Sequence, residues 1–307
     1  MHHAEAGGNL KQSVITVVWN AAAGGAGHPR LATEVADLLS AAGCEPQIVV
    51  LRHGQDSAEV ARAAGARAPI VVAAGGDGTV SGVAAGLIGT PAALGVLPLG
   101  TRNHFAKDLG IPLNLEKAVA TIAARRLGCI DLGQVNDRTF INNSSIGLYP
   151  SIVEAREDLR RQGHRKWVAL ALATVRVLRH YRGVRVKIDV DGRQEVRRTP
   201  FLFVGNNEYA IDGLHIGGRT RLDGGRLFAY LAPRLRTREL PMLLVRAWLG
   251  RARQSGDFEI VSATELWVGT PNAKRVRVAL DGEVTTMTTP LHYRIRPGAL
   301  KVILPAA

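Results

Sequence analysis

The chain has 307 residues, of which 46% are hydrophobic and 21% are charged, and its mean hydropathy is +0.05. This composition is typical of a globular protein and excludes collagen-like and disordered classes. The net charge of +13 lies wholly after residue 131, where 29 Lys and Arg accompany 16 Asp and Glu, so the two halves are expected to do different jobs.

The sequence carries no sign of export or of membrane insertion. Two cysteines, Cys44 and Cys129, are too few for a disulfide framework, which fits a reducing compartment. The first residues lack the basic start and apolar core of a signal peptide, so a cytoplasmic protein is expected. The uncharged stretch 78–101 contains six glycines and two prolines, and we interpret it as a helix and a strand instead of a membrane span.

Strands and helices alternate through the N-terminal half. Apolar, β-branched runs predict strands over 13–19, 47–51, 69–74 and 93–97. Helices are predicted over 29–42, over 57–66, and from the loop at 75–79 to about residue 88. This alternation favours an α/β fold with a parallel sheet, in which ligands bind beyond the carboxyl ends of the strands.

Three glycine-rich loops follow strands at that edge. They are 20–27, with Asn20, Gly24 and Gly25; 75–79, with Gly75, Gly76, Asp77, Gly78 and Thr79; and 98–103, with Gly100, Thr101 and Asn103. Glycines let backbone N–H groups approach phosphate oxygens, and a helix N-terminus adds a favourable dipole, so the three loops together predict a phosphate site. The chain has neither a P-loop nor a dinucleotide-binding Gly-x-Gly-x-x-Gly in its usual context. Asp77 suits a loop that meets a divalent cation or accepts a proton from an attacking hydroxyl.

These residues carry a resemblance to a known family. Gly75-Gly76-Asp77-Gly78-Thr79 after a hydrophobic strand resembles the signature of the diacylglycerol kinase catalytic-domain family, which includes bacterial lipid kinases and sphingosine and ceramide kinases. Asn20 with Gly24-Gly25 resembles the family's first nucleotide loop, and residues 98–106 resemble its Gly-Thr-x-Asn-x-Phe-Ala element. Asp281-Gly282-Glu283 resembles its C-terminal acidic motif, and residues 297–302 resemble its closing strand. The elements run in family order over nearly the whole chain.

The C-terminal half is predicted to be an antiparallel β domain. Strands are expected over 140–145, 183–190, 199–205, 227–231, 258–262, 265–268, 276–280, 292–296 and 299–304, with turns between them. The resemblance implies a β-sandwich beside the nucleotide domain, with a cleft between the two. We place an α/β ATP-binding domain at 10–131, a β-rich lipid domain at 132–296 and a returning strand at 297–307.

Two helical stretches, 166–181 and 237–252, interrupt these strands. Both are rich in apolar residues, and arginines lie at the end of the first and around the second. Each stretch fits an apolar wall for acyl chains with arginines at a phospholipid surface. Each also fits a helix buried on the β domain with solvated arginines; this is preferred for 166–181, and both interpretations stay open for 237–252.

The resemblance implies ATP-dependent phosphorylation of a lipid hydroxyl, such as that of diacylglycerol, with Mg²⁺. It assigns nucleotide binding to Asn20, Gly24, Gly25, Gly75, Gly76, Gly78, Thr79, Gly100, Thr101 and Asn103. Asp77 would meet the catalytic Mg²⁺, and a carboxylate of the pair Asp281 and Glu283 would receive the proton of the acceptor hydroxyl. The same pair is also compatible with an ordinary surface hairpin turn.

Several features separate this chain from parts of the family or leave alternatives open. Asn206 fits the lipid-kinase pattern, whereas Asn207-Glu208 fits a ribose-binding pair of NAD kinases. Bacterial members carry an Asp-Asp-Gly-x-Leu turn at a structural magnesium site, but residues 223–227 read Asp-Gly-Gly-Arg-Leu, which argues against that site. The alternatives are a soluble kinase of NAD or a sugar, and a nucleotide-gated lipid-binding protein without catalysis.

The charge distribution predicts the partners. The basic half is expected to make peripheral contact with an anionic membrane surface, while the first half carries no net charge. An aromatic content of 5% and the lack of a recognition motif disfavour nucleic acid. The sequence predicts no particular oligomeric state.

Overall fold

The structure is a computed structural model of the chain. It describes residues 14–22, 29–163, 165, 168, 169, 172–174, 176, 177, 183–190, 192–212, 215–231, 259–271 and 273–306. The chain divides into two compact units, one that takes the residues up to Gly128 together with those from Leu300 onward, and one that takes Cys129–Ala299.

The first unit is an α/β domain. Its strands are β1 (Val14–Trp19), β2 (Glu45–Val50), β3 (Ile70–Gly75) and β4 (Ala93–Pro98), and its helices are α1 (Pro29–Ala41), α2 (Ser57–Gly65), α3 (Asp77–Leu87), α4 (His104–Asp108) and α5 (Leu115–Ala124). The strands pair in parallel in the order β2-β1-β3-β4, and Val302 adds a parallel pairing with Leu94. Every residue of β3 and β4 is buried, as expected for a parallel sheet covered on both faces. The predicted α/β fold is confirmed.

The second unit is built mainly from antiparallel strands. They are β5 (Leu127–Val135), β6 (Arg138–Phe140), β7 (Asn143–Gly147), β8 (Val184–Val190), β9 (Arg193–Thr199), β10 (Phe201–Asn206), β11 (Tyr209–Asp212), β12 (His215–Arg219), β13 (Leu227–Leu231), β14 (Glu259–Ala263), β15 (Glu265–Gly269), β16 (Arg275–Leu280), β17 (Glu283–Thr288) and β18 (Leu291–Ile303). Helix α6 spans Leu148–Arg161. The first residues of β5 and the last of β18 belong to the first unit.

Two sheets of this unit pack face to face. One has the order β14-β13-β10-β7-β16-β17, and the other has the order β18-β15-β8-β9. Apolar side chains from both, among them Val204 and Val278 of the first and Val186, Leu266 and Tyr293 of the second, form one buried core. This is the predicted antiparallel β-sandwich.

Several strand boundaries differ from the prediction. The strand expected over 140–145 is two strands, β6 and β7, because residues 141 and 142 leave the ladder and bind the side chains of Arg219 and Asp281. The strands expected at 292–296 and 299–304 are parts of the single strand β18, which continues through Gly298 at a φ of +59°. Strands β9 and β17 were not predicted, since their mostly polar residues lack a hydrophobic alternation.

The two predicted helical stretches are described only in part. Within 166–181, the described residues 168, 169, 172–174, 176 and 177 are helical. Ala169 and Ala173 pack with Leu159, whereas Val168 and Leu172 are half-exposed. The stretch 237–252 lies outside the described residues. In the described part of the chain, no helix is long and apolar enough to cross a membrane.

Candidate active site

The loop 75–79 joins β3 directly to α3. Gly75 is the last residue of the buried strand, Gly76 caps the helix in an extended conformation, and Asp77 begins the first turn. The first N–H groups of a helix have no partner inside it, so this turn offers donors to an anion. Gly75 has no room for a side chain, because a Cβ there would lie 2.6 Å from Oγ1 of Thr79.

Asn20 connects the first loop to the second. Its Nδ2 donates to Oγ1 of the buried Thr79 over 2.8 Å, and its Oδ1 accepts the N–H of Ala22 over 3.0 Å. The structure therefore brings together Asn20 and Thr79, which lie 59 positions apart in the sequence. The predicted nucleotide-binding residues Gly24 and Gly25 lie outside the described residues.

The third loop touches the second through two glycines. A Cβ on Gly100 would lie only 2.5 Å from Cα of Gly76, so the loops approach as closely as backbones can. Asn103 shapes this loop: its Nδ2 donates to the carbonyls of Pro98 (3.1 Å) and Gly100 (2.8 Å), and its Oδ1 accepts the Gly100 N–H over 3.0 Å. The Asn103 amide is thus used within its own loop, whereas Thr101 is exposed.

Asp77 lies at the junction of the second and third loops. Its Oδ1 accepts the backbone N–H of Phe105, at the start of α4, over 3.2 Å. The carboxylate is partly buried, and this contact orients it. His104 is the first residue of α4 and is exposed. The three loops therefore bring Asn20, Gly76, Asp77, Thr79, Gly100 and Asn103 into one cluster at the carboxyl edge of the parallel sheet.

Asp281 and Gly282 form the two-residue turn between β16 and β17. Both have positive φ, +47° and +92°, as a type I′ hairpin requires, and Leu280 pairs with Glu283 across the turn. The Asp281 carboxylate accepts three backbone N–H groups: that of Ile141 on Oδ2 (2.9 Å) and those of Asn142 (2.8 Å) and Asn143 (3.1 Å) on Oδ1. Charge-assisted bonds of this kind are stronger than neutral ones, so the turn and the segment 141–143 hold each other.

Glu283 differs from Asp281 in being exposed. It lines a solvent-open groove of about 490 Å³ formed by α6 and β17, together with Glu154 and Arg277, which form an ion pair over 2.8 Å. Three arginines and three acids lie along this groove: Arg156, Arg161, Arg277, Glu154, Asp158 and Glu283. The Asp281 carboxylate and the Glu283 carboxylate therefore have different environments despite being two residues apart.

Arg219 is a buried cation that the sequence did not single out. Its guanidinium donates to the Ile141 carbonyl (2.7 Å), to Oδ1 of Asn142 (2.7 Å) and to the Asn206 carbonyl (3.1 Å), and it lies 5.4 Å from the centre of the Tyr209 ring. Arg219 therefore binds oxygen atoms of residues 141 and 142, whereas Asp281 binds the backbone N–H groups of the same two residues. No sequence signal distinguishes it among the many arginines of this half.

Asn206 and Asn207 are both buried and both used in structural hydrogen bonds. The Asn206 amide donates to the carbonyls of Asp131 (2.8 Å) and Ile141 (2.9 Å). Asn207 donates to Oδ2 of Asp131 (3.2 Å) and accepts the N–H of Gly224 (2.8 Å). Asn207 is only 2% exposed, so this geometry does not favour the ribose-binding alternative for Asn207-Glu208.

The turn 223–227 does not fit a structural metal site. The Asp131 carboxylate is buried and accepts the N–H groups of Gly225 (2.6 Å) and Gly298 (2.9 Å) besides the Asn207 amide. A side chain at residue 224 has no room, because its Cβ would lie 2.7 Å from Oδ1 of Asn207. Within the ranges that the structure describes, no three His, Cys, Asp or Glu side chains are grouped to hold a metal ion. Hydrogen bonds from N–H groups thus occupy both carboxylate oxygens of Asp131, which a cation would need as ligands.

Comparisons with known proteins identify the family of the chain. Residues 14–135 match the diacylglycerol kinase catalytic domain, and residues 145–304 match the YegS C-terminal NAD kinase beta sandwich-like domain. The chain belongs to the diacylglycerol kinase catalytic-domain family. The match to the kinase catalytic domain contains the three glycine-rich loops, and the match to the C-terminal domain contains Arg219 and the turn at Asp281.

Individual relatives cover most of the chain. A Pseudomonas putida protein named "Probable lipid kinase YegS-like" is 32% identical over 251 residues, which is 80% of this chain and 81% of that protein. A Salmonella arizonae protein named "Probable lipid kinase YegS" is 33% identical over 76% of this chain and 78% of its own length. A crystal structure described as a diacylglycerol kinase from Bacillus anthracis has 21% identity, covers 95% of this chain and 97% of its own, and has a TM-score of 0.68. This last likeness confirms the fold of the family member.

Proposed function

We propose that this chain is an ATP-dependent lipid kinase that phosphorylates a hydroxyl of diacylglycerol or a similar lipid. The observation that carries the proposal is the cluster of glycine-rich loops, in which Gly76 contacts Gly100 and Asn20 binds Thr79. The relatives, which are named "Probable lipid kinase", support a lipid acceptor.

The loop residues divide into two roles in this proposal. Gly75, Gly76, Gly78 and Gly100 let the backbone approach the phosphates, and the first-turn N–H groups of α3 donate to them. Asn20, Thr79 and Asn103 keep the loops in place through their own hydrogen bonds. Gly24, Gly25 and Thr101 complete the proposed nucleotide-binding set.

Asp77 fits a catalytic Mg²⁺ that arrives with ATP. Mg²⁺ is usually held by one or two carboxylates, substrate phosphates and water, and does not need a dedicated protein cage. Asp77 is the carboxylate of the loop cluster, and the Phe105 N–H orients it from one oxygen. When bound, the ion supplies neutralisation of the charge that develops on the transferred phosphoryl group.

Asp281 is the proposed proton acceptor for the lipid hydroxyl, with Glu283 in support. Phosphoryl transfer needs positioning and charge neutralisation above all, and a carboxylate held in one orientation can orient the hydroxyl and take its proton. Three backbone N–H groups donate to the Asp281 carboxylate and hold it in this way. The reaction breaks the bond between the γ-phosphorus and the bridging oxygen of ATP and forms one to the lipid oxygen, which gives ADP and a phosphorylated lipid.

A labelled-phosphate assay tests the function. The purified chain is incubated with γ-³²P-ATP and Mg²⁺ and separately with diacylglycerol, a sphingoid base, ceramide, phosphatidylglycerol, NAD and a hexose. We expect label in a lipid product and none in NAD or the sugar. Label in NAD or the sugar alone would assign a soluble kinase, and ATP binding without any transfer would assign a binding protein. Either result contradicts the proposal.

A further inference from the structure

The sheet β18-β15-β8-β9 has two sharply different faces. Side chains alternate along each strand, so residues two apart share a face. Val186, Leu266 and Tyr293 point into the core and are completely buried. On each strand, the residues that alternate with these buried ones point outward, and the face that they form is exposed.

The outward face collects cations. The strand register places Arg185 opposite Arg198, Lys187 opposite Val196, and Glu265 opposite Arg294. We call this surface the basic face; it comprises Arg185, Lys187, Asp189, Gln194, Val196, Arg198, Glu265, Trp267, His292, Arg294 and Arg296. It carries five arginines and lysines but two carboxylates, and one of these, Glu265, pairs with His292.

The two sides of the hairpin β8–β9 differ in how their charged side chains are arranged. On the core side, Arg197 pairs with Glu195 and, over 3.4 Å, with Glu259. On the basic face, Arg185 and Arg198 are directly opposite each other. Like charges in that position repel each other, and an anionic surface laid against this face attracts both.

Exposed apolar side chains lie among these cations. Trp267 is 42% exposed and stacks on the His292 ring, with the ring centres 3.7 Å apart and the planes within 3°. Val196, which lies two strands away on β9, is 54% exposed. A tryptophan with one apolar body and one N–H suits the boundary between headgroups and acyl chains, and cations around it suit anionic headgroups.

We propose that the basic face docks the protein on a bilayer that contains anionic lipids. The proposal gives a location to the membrane contact that a lipid acceptor requires, and to that extent it rests on the proposed function. Lipid is favoured over nucleic acid because Val196 and Trp267 can enter the headgroup layer, whereas an exposed valine gains nothing against a phosphate backbone.

Two matched double variants of one hairpin test the proposal. R185Q/R198Q removes two cations from the basic face, and R193Q/R197Q removes two from the core side of the same strands. Binding is measured by co-sedimentation of nucleotide-free protein with phosphatidylcholine vesicles that contain 30% phosphatidylglycerol. Each cation near an anionic surface contributes about fivefold to binding, so R185Q/R198Q should weaken it by about 30-fold. R193Q/R197Q should leave binding near the wild-type value, and raised salt should weaken wild-type binding.

Tryptophan fluorescence gives a second readout. The emission of the wild type should shift to the blue on anionic vesicles, and the shift should be smaller in W267F. Equal loss in both double variants, or equal binding to neutral and anionic vesicles, would overturn the proposal. So would tighter binding to a short DNA duplex than to vesicles, or loss confined to R234Q/R236Q/R238Q. No kinase turnover enters these measurements, so the docking face and the proposed function fail separately.

Discussion

Arg219 and Asp281 hold the same residue from opposite sides. The N–H of Ile141 donates to Oδ2 of Asp281 over 2.9 Å, and the carbonyl of Ile141 accepts from Nη1 of Arg219 over 2.7 Å. The next residue repeats the pattern, because Asn142 donates its N–H to Asp281 and receives Arg219 on its side-chain oxygen. Residues 141 and 142 are therefore placed by two charged side chains in addition to the strands on either side.

Replacement of Arg219 should lower the rate of phosphoryl transfer through the position of Asp281. R219M leaves the Asn142 side-chain oxygen without this donor, at a cost of about 1–3 kcal/mol, whereas the Ile141 carbonyl keeps the Asn206 amide as a donor. We expect kcat to fall while KM for ATP stays near the wild-type value, with partial recovery in R219K. Steady-state kinetics and thermal unfolding measure both effects. Arg221→Met, at an exposed arginine, is the control, and an unchanged kcat in folded R219M would contradict the positioning role.

Asp281→Asn should cut lipid phosphorylation by roughly 10²–10⁴-fold, the usual contribution of a positioned acid–base group. Asparagine also replaces one acceptor oxygen with an NH₂ group that opposes a backbone N–H, so the melting temperature should fall. Labelled-ATP assays are compared with ATP titrations on the same preparation. Asp223→Asn, which removes an exposed carboxylate paired with Arg221, is the matched control. Near-normal activity of Asp281→Asn would show that another group takes the proton.

Gly100→Ala should separate the second and third loops and weaken ATP binding more than tenfold. The new Cβ would lie 2.5 Å from Cα of Gly76, a distance that the backbone must relieve by moving. Gly76→Val, whose Cβ begins 3.4 Å from Cα of Gly100, should abolish ATP binding. Gly269→Ala is the control, since its Cβ meets Lys187 at an ordinary 3.8 Å. Calorimetric ATP titration measures the change, and undiminished affinity in both loop variants would exclude this site.

Removal of divalent cations should leave the stability of the apoprotein unchanged. The Asp131 carboxylate beside the turn 223–227 accepts the N–H groups of Gly225 and Gly298, which take the place of a cation. We therefore expect that a chelator removes no bound ion from this turn. Thermal unfolding with EDTA, Mg²⁺ and Ca²⁺ in the absence of nucleotide checks this. Gly224→Asp should lower stability by about 1–3 kcal/mol, because it crowds Asn207 and adds a charge beside Asp131. A marked rise in melting temperature with Mg²⁺ alone would be the contrary result.

Alkaline pH should destabilise the second unit. Complete burial raises the pKa of Tyr293 well above its ordinary value of 10.0, although its hydrogen bond with Ser144 opposes the shift. Burial also raises the pKa of Tyr230, against the effect of the Tyr209 N–H. The unfolded chain ionises first, so this contribution to stability is fully present below pH 10 and is lost as pH rises from 10 towards each raised pKa, by at most about 1.4 kcal/mol per pH unit for each tyrosine. Denaturant unfolding measures the slope, which should be smaller in Tyr293→Phe and unchanged in Tyr149→Phe.

The sequence by itself determined the features that rest on local patterns. Buried runs such as Ile70–Gly75 are apolar along their whole length, and the glycine-rich loops follow them directly, so both the parallel sheet and the loop at Asp77 could be predicted. The hairpin turn at Asp281-Gly282 was similarly visible, because Asp-Gly is a strong local signal for a two-residue turn.

Only the tertiary structure decided what depends on partners far apart in the chain. Strand β9 has no hydrophobic alternation, and its strand conformation comes from pairing with β8. The hydrogen bonds of the Asn103 amide within its own loop could not be predicted from the sequence. Arg219 resembled any surface arginine, but burial commits it to residues 141 and 142. The basic face exists because the register sets Arg185 beside Arg198. Hydrophobic periodicity reports which side of a strand is buried, whereas the partner of a polar side chain is set by packing between distant segments.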